Sequence, residues 1–135
     1  NVEAITAGTG KDVVTLSTRV TNGAIDLSSG LDRLVLGDFV NTLTTTGVET
    51  IVGGASADTV TLGSAATGAT IDLKGGDDAL SLYSAADNTL TVSNVETVTG
   101  GANNDLVTFA AQAAGVTVDL GADTDSLVLG DFANT

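Results

Sequence analysis

The sequence predicts an all-β chain wound as a parallel β-solenoid, either a β-helix or a β-roll, of about six coils. Three observations predict it. A unit of 46–47 residues occurs three times, each unit contains two glycine-rich turns that lead into an aspartate, and apolar and polar residues alternate after each aspartate. Short strands and tight turns that recur at a fixed spacing are typical of stacked architectures. The predicted domain organisation is one solenoid segment over residues 1–135.

The repeat is clearest where a Val-Glu pair precedes a short apolar stretch. Val2, Val48 and Val95 are equivalent and lie 46 and 47 residues apart. The three repeats therefore cover residues 1–46, 47–93 and 94–135. Both ends of the sequence fall inside the pattern, so we expect flanking coils in a longer parent protein to cover the open ends of the solenoid.

Each repeat contains a stronger and a weaker turn. The stronger turn reads Gly-Gly-Ala-Asn-Asn-Asp before Leu-Val-Thr at 100–108, and it recurs at 7–15 and 53–61. Gly and Asn suit such turns because they tolerate positive φ. The interval between turn aspartates is the same within every repeat and is longer between repeats. We interpret each interval as one coil, with an extra loop in the longer ones. The turn aspartates are Asp12, Asp32, Asp58, Asp78, Asp105 and Asp125.

The alternation after each turn predicts a strand with one buried face. Val60 and Leu62 point inward, while Thr59 and Thr61 point outward. Return strands follow at 24–27, 70–73 and 117–120, and a change of parity near Asn94 predicts a bend. The alanine-rich segment 110–114 aligns with turns in the other repeats and is predicted to be a turn. Further inward pairs are Val14/Leu16, Leu34/Leu36, Leu80/Leu82, Val107/Phe109 and Leu127/Leu129.

The composition narrows the functional classes. The chain has 17 acidic residues against 4 basic ones, a net charge of −13, which argues against a nucleic-acid surface and against attraction to anionic membranes. No apolar run is long enough to span a membrane. The absence of Cys and His removes disulfides, thiolate metal sites and the commonest general base. A content of 42% hydrophobic residues favours a folded chain over an acidic disordered tail.

The turn aspartates predict a binding site for Ca²⁺. Carboxylates stacked along one edge at the strand spacing of about 4.8 Å repel one another, and divalent cations between the turns would neutralise them. The oxygen-only ligand inventory favours Ca²⁺ over transition metals. The turns at 18–23, 63–68 and 110–115 lack the aspartate, so we expect at most a single column of ions. The alternative is a metal-free solenoid whose aspartates only accept hydrogen bonds from turn N–H groups.

The turn–aspartate–strand unit resembles the RTX nonapeptide Gly-Gly-x-Gly-x-Asp-x-apolar-x, a calcium-binding β-helix repeat. The 46–47-residue frame also resembles repeat regions of large bacterial secreted proteins, including surface-layer (S-layer) proteins and adhesins. The resemblance implies Ca²⁺ held between adjacent turns by aspartates and turn carbonyls. It also implies type I secretion of the unfolded chain and folding in external calcium. This sequence departs from the nonapeptide in two ways. A Gly-Gly pair fills the first two positions only at 53–54 and 100–101, and Ser56 replaces the glycine of the fourth position in the turn at 53–61. Besides the six aspartates, the matching positions are Gly8, Gly10, Gly30, Gly54, Gly76, Gly101, Asn103 and Asp123.

These patterns predict a structural segment, without enzyme activity, of an extracellular or cell-surface bacterial protein such as a surface layer, adhesin stalk, matrix or filament. Expected partners are calcium ions and either further copies or flanking repeats, since open sheet edges favour self-association. One alternative is a module that binds a glycan, ice or a partner protein, although the outward Thr15, Thr61 and Thr108 recur only in every second predicted coil. Another is the RTX secretion module of an exported hydrolase. A second acidic row either supplements the ion sites or, as we favour, is a solvated strand face: Glu3, Glu49 and Glu96 with Asp26, Asp72 and Asp119.

Overall fold

The computed structural model describes residues 2–135, so Asn1, the first residue of the first repeat, lies outside the described residues. Within that range the chain is all β and forms two seven-stranded parallel sheets, which confirms the predicted solenoid of about six turns. Sheet 1 contains the odd-numbered strands and sheet 2 the even-numbered ones. The strands are β1 (Ala4–Thr6), β2 (Val13–Thr15), β3 (Thr21–Asp26), β4 (Arg33–Val35), β5 (Asn41–Thr46), β6 (Thr50–Val52), β7 (Asp58–Leu62), β8 (Thr67–Asp72), β9 (Ala79–Ser81), β10 (Asn88–Ser93), β11 (Thr97–Gly101), β12 (Asp105–Phe109), β13 (Thr117–Gly121) and β14 (Ser126–Leu129).

Each strand pairs in parallel with the strand two places further along the chain, so one coil contributes one strand to each sheet. The coils are short and differ slightly in length. Coil length is the number of residues from one residue to its partner in the next coil. This number is smaller from Arg33 of β4 to Thr50 of β6 than from Ile5 of β1 to Ile25 of β3. It is larger than both from Thr67 of β8 to Thr89 of β10.

The sequence repeat contains a half-integer number of coils. Repeats one and two contain five strands each, β1–β5 and β6–β10, and a coil contains two, so each repeat spans two and a half coils. Equivalent residues of successive repeats therefore lie on opposite sheets. The prediction of two coils per repeat, the longer one with an extra loop, is wrong. The interval from Asp32 to Asp58 is instead one short coil, which ends at Glu49, followed by half a coil.

The predicted inward side chains form the interior. Ile25, Val60 and Ile71 are at most 2% exposed, and they belong to a continuous core of Val, Ile and Leu side chains. Leu127 and Leu129 differ, with 42% and 44% of their surfaces exposed, because no further coil covers β14 among the described residues. The predicted return strands are confirmed by β3, β8 and β13.

Two local predictions are also confirmed. Residues 110–114 are not helical and lie in the turn after β12. Asn94, where a bend was predicted, has a φ of +52° directly after β10. Such a left-handed residue redirects the chain between two strands, and Asn tolerates it better than most residues.

Gly47 occupies a turn that only glycine fits. Its φ is +61°, and a Cβ at this position would meet the backbone of Ser28 in the coil below. We expect Gly47→Ala to lower the free energy of unfolding by about 2 kcal/mol or more, because strain and collision add. Gly8 is the matched control: its Cβ would meet nothing within 4 Å, and Gly8→Ala should change stability by less than about 0.5 kcal/mol. Urea denaturation measures both, and equal losses would contradict the stacking of these turns.

Candidate metal centre: rows of buried carboxylates

The turn aspartates are divided between the two sheets. The prediction that their carboxylates form a single column along one edge of the solenoid is therefore wrong. The physical reason is the two-and-a-half-coil repeat, which moves each equivalent aspartate by half a coil and thus to the opposite sheet. What the structure brings together is three pairs, each pair in neighbouring coils. The pairs are Asp12 with Asp32 in sheet 2, Asp58 with Asp78 in sheet 1, and Asp105 with Asp125 in sheet 2.

Within each pair, the second aspartate accepts a hydrogen bond from the backbone N–H of the first. A buried backbone N–H at the start of a strand requires such an acceptor. The carboxylate thereby connects two coils where the regular strand pairing is only beginning. The distances are 2.7 Å from Asp12 N to Asp32 Oδ1, 2.6 Å from Asp58 N to Asp78 Oδ1, and 2.9 Å from Asp105 N to Asp125 Oδ1.

Glutamates extend these pairs in one direction. Glu49 Oε2 accepts the backbone N–H of Asp32 at 2.7 Å, and Glu96 Oε2 accepts that of Asp78 at 2.8 Å. Both glutamates are only partly exposed. The interpretation of these two residues as part of a solvated acidic row is therefore wrong. The nearly constant spacing from a turn aspartate to the next Val-Glu pair is the sequence signal that could have identified them.

Asparagines extend the pairs in the other direction. Asn41 donates both its backbone N–H, at 3.1 Å, and its Nδ2–H, at 2.9 Å, to Asp58 Oδ1. Asn88 donates in the same way to Asp105 Oδ1, at 3.2 and 2.8 Å. Both amides are buried. We call this series of hydrogen-bonded side chains in successive coils the carboxylate ladder. In sheet 1 all of its members are present, in the order Asn41–Asp58–Asp78–Glu96.

The three aspartates of the predicted second row accept hydrogen bonds within their own turns. Asp26 Oδ1 accepts the N–H of Ser28 at 2.9 Å, and Asp119 Oδ1 accepts that of Gly121 at 3.1 Å. Asp72 Oδ1 accepts the N–H of Lys74 at 3.1 Å and also the Nδ2–H of Asn94 in the next coil at 2.7 Å. These are Asx turns, which stabilise a left-handed residue two positions on. They lie outside the carboxylate ladder.

The ladder buries carboxylate oxygens that no protein group satisfies. Asp58 is fully buried, and Asp78 is 1% exposed. Their Oδ1 atoms accept the hydrogen bonds described above, whereas the second oxygen has no hydrogen-bond partner among residues 2–135. A buried carboxylate in that condition is costly unless it binds a proton or a cation. The unpartnered atoms are Oδ2 of Asp12, Asp32, Asp58, Asp78 and Asp105.

The environment of Asp58 and Asp78 raises the pKa of both carboxyl groups. Burial raises the pKa of Asp58, although hydrogen bonds from the Asn41 side chain, the Asn41 backbone and the Gly54 backbone act in the opposite direction. Burial also raises the pKa of Asp78 to about 6. The hydrogen bond from the Asp58 backbone opposes this shift, and repulsion from the charges of Asp58, Glu96 and Asp77 adds to it.

The raised pKa of Asp78 predicts a pH dependence of the metal-free protein. The folded state holds this proton up to about pH 6, whereas the unfolded state releases it near 3.8, so the stabilisation is complete below pH 3.8 and is lost as the pH rises to 6. The shift corresponds to about 3 kcal/mol at most. Asp78→Asn should remove this part of the dependence, whereas exposed Asp77→Asn should not. Urea midpoints between pH 4 and 7 in chelator measure it, and identical profiles for wild type and Asp78→Asn would contradict it.

The glycine, asparagine and aspartate positions that match the RTX nonapeptide lie in or beside the turns that contain the turn aspartates. A side chain at Gly30 or Gly54 would meet the backbone of the turn one coil earlier, and Gly10 and Gly76 have φ values of +140° and +142°. Asn103 donates its Nδ2–H to Ser84 O at 2.8 Å, and Asp123 is exposed. Gly8 and Gly10 precede β2, Gly30 precedes β4, Gly54 precedes β7, Gly76 precedes β9, Gly101 ends β11, and Asp123 precedes β14.

The aspartate pairs supply some, but not all, of the oxygen ligands that a hard cation requires. No group of three or more acidic side chains that could hold a metal occurs within residues 2–135. An ion would therefore depend on one or two carboxylates together with backbone carbonyls. At Asp105, Oδ2 lies against the backbone of Gly100, where a Cβ would come within 2.6 Å of it and closer still to the Leu120 carbonyl oxygen. A carboxylate oxygen and a backbone carbonyl near one another are the ligand types that Ca²⁺ prefers.

The resemblance to RTX repeats is supported at the level of the β-solenoid fold. The part of the chain that the structure describes contains no helix long and apolar enough to cross a membrane. Comparison with protein-family models, with curated proteins and with solved structures finds no match to this chain.

Proposed function

We propose that this chain is a structural β-solenoid segment, stabilised by Ca²⁺, of an extracellular or cell-surface bacterial protein. The observation that carries the proposal is the set of five buried aspartate oxygens without a partner. Their charge must be neutralised, and the chain has only four basic residues against 17 acidic ones. Ca²⁺ prefers carboxylate and carbonyl oxygens and tolerates irregular geometry, which the turns offer.

The residues that would hold the ion are the paired aspartates and the carbonyls of the adjacent turns. Each pair belongs to two neighbouring coils, so an ion bound there would link one coil to the next. Its chemistry would be electrostatic neutralisation only. The acidic residues recur with the scaffold repeat and none is singled out, which supports a structural role without catalysis.

The net charge supports an extracellular location. Without cations, the carboxylates of a chain at −13 repel one another and oppose the compact state. Calcium outside the cell would then favour folding after export, which is what the resemblance to RTX repeats implies for type I secretion. The uncovered apolar side chains of β14 support self-association or stacking against flanking repeats.

A second candidate function, adhesion, is favoured by the outer face of sheet 1. Thr15 and Thr108 lie in sheet 2 and Thr61 in sheet 1, so the predicted row with one threonine in every second coil is wrong. Sheet 1 instead carries two contiguous rows without any charged side chain from β5 to β11, in a strongly acidic protein. The rows are Thr44–Thr61–Ser81–Thr99 and Thr42–Thr59–Ala79–Thr97.

Circular dichroism with calcium and with excess chelator tests the first proposal. A β-sheet spectrum that is weakened by chelation and restored by calcium is expected. The adhesion candidate predicts that Thr61→Lys abolishes binding to a glycan or ice surface without changing that spectrum. A spectrum and a melting temperature that are unaffected by complete chelation would contradict the calcium proposal and leave adhesion as the alternative.

A further inference from the structure

A small, partly enclosed cavity lies between β5, β7 and β8. Its volume is about 30 Å³, and Thr45, Ser64 and Glu49 are among the residues that line it. Thr45 is 2% exposed, and its Oγ1 is buried without a hydrogen-bond partner among the described residues. Leaving a buried hydroxyl in that condition costs about 1–3 kcal/mol. A cavity of this size is large enough for one water molecule.

The lining offers further polar partners. Ser64 Oγ accepts the backbone N–H of Gly47 at 3.1 Å, which leaves its own O–H free to donate. Glu49 uses Oε2 to accept the N–H of Asp32, which leaves Oε1 as an acceptor. Together with Thr45 Oγ1 these groups provide the two to four partners that a buried water requires.

The equivalent site of the next repeat provides an internal comparison. The three lining hydroxyls, of Thr45, Ser64 and Thr67, are absent there, and four other lining positions carry larger side chains. Val92, which replaces Thr45, is fully buried, and Phe109, which replaces Leu62, is 2% exposed. The polar groups are therefore lost where the side-chain volume increases. The replacements are Thr45 to Val92, Gly47 to Asn94, Leu62 to Phe109, Ser64 to Ala111, Ala65 to Gln112, Thr67 to Ala114 and Ala69 to Val116.

We propose that this cavity binds one structural water molecule, which bridges Thr45 Oγ1 to the Ser64 hydroxyl and the Glu49 carboxylate. The water satisfies the otherwise unpartnered hydroxyl. It also fixes the side chain of Glu49, which accepts the N–H of Asp32 in the ladder of the coil below. The equivalent site one repeat later lacks the hydroxyls that would hold such a water.

A high-resolution crystal structure of the full chain tests the proposal. A density peak within hydrogen-bond distance of Thr45 Oγ1 is expected. The variant T45V/L62F/S64A/A69V, which copies four of the replacements found one repeat later, should lose the peak and keep its melting temperature. The absence of a peak, when other buried waters are resolved, would overturn the proposal. A peak with the short, multiple oxygen contacts of a metal ion would also overturn it.

A second variant tests the same point through stability. Val92→Thr places a hydroxyl at a fully buried position of the equivalent site, where Ala111 and Ala114 replace the polar partners Ser64 and Thr67. We expect the melting temperature to fall by about 5 °C, because the new hydroxyl lacks those partners. The matched Thr45→Val variant should show a smaller change or none. Equal losses in the two variants would contradict a water that is specific to the site at Thr45.

Discussion

Asp58→Ala lowers the free energy of unfolding by about 3 kcal/mol or more at neutral pH, with and without calcium, if the carboxylate ladder supports the fold as described. Asp58 Oδ1 is the acceptor for the backbone N–H and the Nδ2–H of Asn41, and both donors are buried. Alanine removes this acceptor from the Asn41 backbone N–H, takes one hydrogen bond from its Nδ2, which still donates to Phe39 O, and opens space between two coils. Chemical denaturation in urea measures the loss.

Asp58→Asn separates the hydrogen bonds from the charge. The amide oxygen can still accept from Asn41, whereas the buried charge and the unpartnered Oδ2 are gone. We therefore expect Asp58→Asn to be at least as stable as the wild type in chelator and less stable than the wild type in calcium. Exposed Asp38, whose side chain accepts the N–H of Ala55 at 3.1 Å, is the control, and Asp38→Ala should cost less than about 1 kcal/mol. An Asp58→Ala loss as small as that of Asp38→Ala would refute the structural importance of the ladder.

Saturating calcium is expected to raise the melting temperature by roughly 10 °C for each occupied site. Binding at a concentration 1,000 times above Kd contributes about 4 kcal/mol, and about 1 kcal/mol corresponds to some 3 °C in a domain of this size. The physical reason is that calcium removes the repulsion between carboxylates of neighbouring coils. Thermal denaturation followed by circular dichroism, in calcium and in chelator, measures the shift.

The double variant Asp58→Asn/Asp78→Asn removes one of the three pairs and serves as the control for specificity. It should lose part of the calcium-dependent shift and retain the rest. Magnesium should stabilise the wild type less than calcium does, because it dehydrates reluctantly and requires regular octahedral geometry. If calcium, magnesium and chelator give the same melting temperature, the buried carboxylates hold protons, and the calcium proposal fails while the solenoid fold remains.

The strands, the turns and most of the interior could be predicted from the sequence because they depend on local patterns. Alternation around Val60 and Leu62 identifies a buried strand face whatever the strand pairs with. The pairing itself could not be predicted in this way. The stretch between Asp32 and Asp58 fits one long coil with a loop as well as one and a half short coils, and both have the same alternation. Only the register, in which Arg33 pairs with Thr50, distinguishes them.

The aspartates of the candidate site were predictable from their recurrence after glycine-rich turns, but their partners were not. Asn41 resembles an ordinary turn asparagine, and Glu96 resembles a solvated residue of an acidic row. Each becomes part of the ladder only because a neighbouring coil brings Asp58 or Asp78 alongside it. The exposure of Leu127 has the same origin, since burial depends on the coil above as well as on the pattern of the strand.

We propose that calcium neutralises the buried carboxylates of neighbouring coils. Anomalous X-ray scattering from crystals grown in calcium tests it most directly, because it locates the ion and identifies the element. The account predicts anomalous peaks beside the unpartnered Oδ2 atoms of the aspartate pairs, with turn carbonyls completing the coordination. Crystals that contain calcium, retain these oxygens in their buried positions and show no anomalous peak beside any of them would contradict it.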